Sequence, residues 1–70
     1  MKIKAIEAWR ILRDARDKLI EAGDKNEVGT HAFKLGCSMD AIQTIAGMKS
    51  GGKNAILNLP DNYLTEALAA

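Results

Sequence analysis

The stretch from Gly29 to Met48, GTHAFKLGCSMDAIQTIAGM, constrains the fold more than any other part of this 70-residue chain. Ala32 is small enough for two helices to cross closely, and four residues on comes Gly36, a residue that takes left-handed backbone at the lowest cost. Leu35, Cys37, Ile42 and Ile45 are spaced to wedge two short helices together on either side of that corner. Ser38, just past it, is a fitting N-cap whose hydroxyl accepts a backbone N–H of the following turn. The expected arrangement is one helix from Asn26 or Glu27 to Leu35, a turn at Gly36, and a second helix from Met39 to about Ala46, ended by Gly47. Met39, Asp40, Gln43 and Thr44 then stay exposed on the second helix, with Ser38 at its start.

The run AFKLGCSMDAIQTIAG resembles the helix-turn-helix of small phage repressors and Cro-like regulators, matching at Ala32, at the Leu35–Gly36 corner, at the hydrophobic residue after it, and at Ala41 and Ile42. The match covers under a third of the chain. It implies double-stranded DNA as the partner, with Ser38, Met39, Asp40, Gln43 and Thr44 facing the major groove. Gln43 carries most of the implied readout, since its amide can bond both edges of an adenine, and Thr44 adds a methyl or hydroxyl contact. Lys34, Lys49 and Lys53 beside the motif, with Arg10, Arg13 or Arg16 of the first helix, are the candidates for phosphate contacts. Asp40 opposes the dipole of a helix first turn and repels phosphate. Met39 suits a protein partner as well as a base.

A catalytic reading weighs less. The run THAFKLGCSMDAIQTIAGMKS is also similar to the C-terminal region of tyrosine recombinases, but Met48 stands where that pattern has a histidine, no arginine lies beside His31, and Tyr63 falls too late for the nucleophile. Without a positioned acid, base and nucleophile there is no transesterification site. No paired carboxylates, Ser-His-Asp set or nucleotide loop is present, so the expectation is a non-enzyme with no catalytic residue and no cofactor. One cysteine with one histidine cannot close a zinc site, so no metal is expected either.

Size and charge frame these readings. Seventy residues give one small core of marginal stability, for which dimerisation is a common remedy, and a homodimer is expected. The apolar fraction of 47% excludes a disordered chain. The single cysteine suits a reducing cytoplasm, and no stretch is apolar and long enough for a signal peptide or a membrane span. Net charge cuts against DNA: the chain is only +1, and residues 23–48 hold two basic groups against three acidic ones.

In chain order, Ala5, Ala8, Trp9, Leu12, Ala15, Leu19 and Ala22 recur at spacings of three and four, predicting a long amphipathic helix over residues 1–22 that begins near Ile3. Val28 and Phe33 are expected in the core. The helix-turn-helix occupies 27–47, and MKSGGK over 48–53 is a glycine-rich joint. In the C-terminal segment 54–70, NAILNL is either a helical turn or the strand of a small wing near 54–59, and Asp61 and Asn62 can cap a last helix. The fold class is all-α, with four to five helices and that possible short strand. Two functions remain open: a sequence-specific DNA-binding regulator, or a protein-binding adaptor or inhibitor that keeps the motif only as packing. Salt dependence separates them.

Overall fold

A computed structural model describes residues 1–69; Ala70, the last residue of the expected 54–70 segment, lies outside the described residues. The chain opens as a strand, β1 (Lys2–Lys4), and turns directly into α1 (Ala5–Glu21). The long helix thus starts two residues later than the apolar spacing suggests, because the first amides are claimed by a sheet: Ala5 N–H donates to the carbonyl of Ala55 at 2.8 Å. Ala5, Ala8 and Leu12 are fully buried, and Trp9, Ala15 and Leu19 pack beside them, as the three-four spacing predicts. Gly23, at φ 108°, ends α1: its N–H reaches the carbonyl of Ile20 at 3.0 Å, and Asp24 N–H that of Leu19 at 2.9 Å.

The second helix, α2, runs from His31 to Ala46 without a break. It begins later than Asn26 because Gly29 holds a left-handed φ of 95° and Thr30 is the N-cap, its hydroxyl accepting from Phe33 N–H at 3.3 Å. Val28 lies in the connection and is 85% exposed, not in the core, while Phe33 is half-buried. The expected corner at Gly36 does not form. Ala32, Leu35, Met39 and Ile42 continue one buried stripe in phase across that glycine, so a straight helix buries all four, and a bend would pull Met39 and Ile42 away from α1. Gly36 has an ordinary negative φ, and its missing side chain weakens the helix by about 1 kcal/mol without breaking it. Ser38 caps nothing; its hydroxyl donates back to the carbonyl of Lys34 at 3.3 Å, one turn earlier in the same helix.

Gly47 ends α2 in left-handed backbone, φ 63°, as expected. The joint that follows makes two short 3-10 turns, Met48–Ser50 and Gly52–Asn54. Gly52 folds back so tightly against the end of α2 that a Cβ there would overlap the carbonyl oxygen of Ala46, and its N–H donates to Gly47 O at 2.9 Å. This close approach is why a glycine stands at that position.

Residues 54–59, which the sequence leaves open between a helical turn and a strand, contain a strand, β2 (Ile56–Asn58), and it pairs antiparallel with β1 in the register Lys2↔Asn58, Ile3↔Leu57, Lys4↔Ile56. A last helix, α3 (Tyr63–Ala69), closes the core with Tyr63, Leu64 and Ala67. His31 ties it to α2, its Nε2 donating to the carbonyl of Ala67 at 2.9 Å. Asp61 pairs with the Met1 amine at 2.8 Å instead of capping α3, and that contact holds its carboxyl below the usual range. The result is a mostly helical fold of three α-helices with one two-stranded sheet among the described residues. It has fewer than the four to five helices expected, because two of those merge into α2 and the wing is extended.

Candidate functional site

The surface of α2 carries most of the candidate residues, and helix continuity redistributes them. Asp40, Gln43, Thr44 and Lys49 come together with Gly47 around a shallow, open cleft of about 480 Å³. Gln43 is half-buried and Thr44 exposed, so amide and hydroxyl both remain accessible. The other four candidates stand apart. Met39 is 4% exposed and belongs to the core; its exposure was expected from a corner that is absent. Ser38 is spent on its bond to Lys34. Lys34 precedes Asp40 by six residues and so lies about 120° around the helix from it. Lys53 is exposed in the second 3-10 turn and does not line the cleft.

A smaller hollow of about 200 Å³ adjoins the cleft, lined by Arg16, Asn26, Phe33, Gly36, Cys37 and Asp40. Asp40 lines both, and the residues of α2 and its C-cap that line one or the other span Phe33 to Gly47, roughly 21 Å of helix at 1.5 Å per residue. Phe33, Gly36, Asp40, Gln43 and Gly47 recur at intervals of three and four. That second stripe is visible in the sequence once Gly36 is read as helical, and the expectation of a corner hid it.

Electrostatically the larger cleft is balanced. It is lined by one carboxylate, Asp40, and one ammonium, Lys49, which makes no ion pair among the described residues and lies just past the negative end of the α2 dipole. Arg16 is held by Asp17, with Nη2 to Oδ1 at 3.1 Å, and Arg13 by Asp14 at 3.0 Å. Arg13 also lies over the Trp9 ring, 5.4 Å from its centroid. The arginines of α1 that the sequence offers as phosphate contacts are therefore paired along their own helix, apart from Arg10, which is exposed and makes no ion pair within 4 Å among the described residues.

Two further groups bear on chemistry. Cys37 is a free, exposed thiol on α2, where the sequence suggests a buried wedge. His31 has its Nε2 committed to Ala67. Among the described residues no three His, Cys, Asp or Glu side chains converge in a metal-holding group, and no helix is long and apolar enough to cross a membrane.

Comparison with protein-family models, with curated proteins and with solved structures finds no match. The resemblance to phage repressors and Cro-like regulators therefore stands on the quoted residues alone, and the unbroken α2 removes the turn on which that resemblance depends.

Proposed function

We propose that this chain is a small protein-binding module, an adaptor or inhibitor, that presents the outward face of α2 to its partner. The observation that carries this reading is the continuity of α2 through Gly36. It buries Met39 and leaves Lys34, Asp40, Thr44 and Ile45 outside, with one cation, one anion and an isoleucine that is 76% exposed. Such a mixed face with an apolar anchor suits a protein surface, where charged groups sit at the rim and buried apolar side chains supply most of the affinity. It suits a phosphate backbone poorly, because the basic charge is thin and partly paired. The reading involves no catalytic step, and the unpaired Cys37 favours a reducing, cytoplasmic setting.

One observation favours a second reading, a small regulator that binds double-stranded DNA. Gln43, Thr44 and Lys49 share an open cleft and offer an amide, a hydroxyl and an ammonium to a nucleic acid edge. Titration against random and genomic duplex DNA at two ionic strengths separates the two. On the protein-binding reading, affinity for duplex is negligible at both salt concentrations. Tight binding that weakens steeply with salt and is lost in Gln43→Ala would overturn it in favour of DNA.

A further inference from the structure

Among the described residues the two-stranded sheet has two unpaired edges, and they differ in charge. Ala5 N–H donates to Ala55 O and Leu59 N–H to Met1 O, each at 2.8 Å. In the observed register this phase makes Ile3 and Leu57 a bonded pair and turns the backbone groups of Lys2, Lys4, Ile56 and Asn58 outward, toward the edges. The side chains of those four residues are exposed, while Ile3 and Leu57 are half-buried. The β1 edge thus carries two lysines, a device by which natural sheets block unwanted pairing. The β2 edge carries no charge, its Ile56 is 59% exposed, and no turn, loop or cap bond among the described residues engages the backbone of Ile56 or Asn58.

We propose that the β2 edge is a self-association surface, on which a second copy of this chain adds its own β2 in antiparallel fashion about a twofold axis at Leu57. Ile56 then faces the partner's Asn58, and each such pair exchanges both of its N–H···O bonds. The two Ile56 side chains approach each other diagonally on the outer face. Charge and closure select this occupant. Pairing β1 with β1 would set Lys2 and Lys4 of two copies against one another, and pairing β1 with β2 would leave an open edge and propagate. β2 with β2 closes as an isologous contact and leaves the lysine-bearing edges outermost, so no lysines oppose one another. The surface is separate from the α2 face, so neither proposal depends on the other.

Three residues make a short interface, so association is weak and concentration-dependent. The test is sedimentation velocity of the full chain from about 10 μM to about 1 mM, with amide hydrogen exchange measured at both ends. The expected result is a monomer–dimer equilibrium in which the Ile56 and Asn58 amides slow several-fold at high concentration while those of Lys2 and Lys4 do not. Ile56→Lys abolishes the dimer with an unchanged far-UV circular dichroism spectrum, and Lys4→Ala retains it. A monomer at every concentration overturns the proposal, and so does a dimer whose Ile56 and Asn58 amides exchange as fast as in the monomer.

Discussion

Asp24 shows how much one short side chain organises between α1 and α2. One carboxylate oxygen accepts from Asn26 N–H at 2.8 Å, and the other from Ala32 N–H at 3.0 Å in the first turn of α2. Asn26 can lie in left-handed backbone, φ 52°, because that bond holds it there. The two bonds, that from Asn26 first, favour the charged form and lower the pKa of Asp24 from its ordinary 3.8. A carboxyl whose folded pKa lies below its unfolded value adds stability above the unfolded value and loses it as pH falls through the folded one. Asp24→Asn is therefore expected to melt at a lower temperature than the parent at neutral pH, with the gap narrowing in acid as pH falls through the lowered pKa of the folded state. Thermal melts of both proteins at neutral and acid pH check this, and an undiminished gap in acid would remove the charge from the account.

At the scale of the element, α2 decides what the surface offers. The two expected short helices and the single observed one differ only in the backbone at Gly36, and the same substitution distinguishes them. In a left-handed corner an alanine is strained; in a helix interior it removes the entropic cost of glycine. A Cβ at Gly36 meets nothing within 4 Å. Gly36→Ala is thus expected to raise stability by about 0.5–1 kcal/mol in urea denaturation. A loss of that size would restore the bend and, with it, the exposed recognition helix.

For the whole molecule, the fully buried large side chains are few: Leu12 from α1, Leu35 and Ile42 from α2. A domain of this size gains only about 3–5 kcal/mol from a single core, while removing a buried leucine side chain costs about 2–5 kcal/mol. Leu12→Ala is accordingly expected to be largely unfolded at room temperature by circular dichroism. Retention of a cooperative transition within about 1 kcal/mol of the parent would mean that the sheet and α3 hold more of the stability than burial suggests.

The helical periods were legible in the chain itself. Ala5, Ala8 and Leu12 on α1, and Ala32, Leu35 and Ile42 on α2, recur at three and four and are buried as that spacing requires. Gly23 and Gly47 mark the helix ends for the same local reason, cheap left-handed backbone. Of the surface candidates, Asp40, Gln43 and Thr44 share a face because neighbours one turn apart do so whether or not the helix bends at Gly36, and the left-handed turn at Gly47 with the 3-10 turn after it adds Lys49 to them. The state of Gly36 was not local information. Glycine tolerates both a corner and a helix, and only packing against α1 makes the straight form better, by burying Met39 in phase with Leu35 and Ile42. The strand at Ile56–Asn58 was equally undetermined by three residues of pattern, and it formed because Lys2–Lys4, more than fifty residues away, supplied its hydrogen-bonding partner.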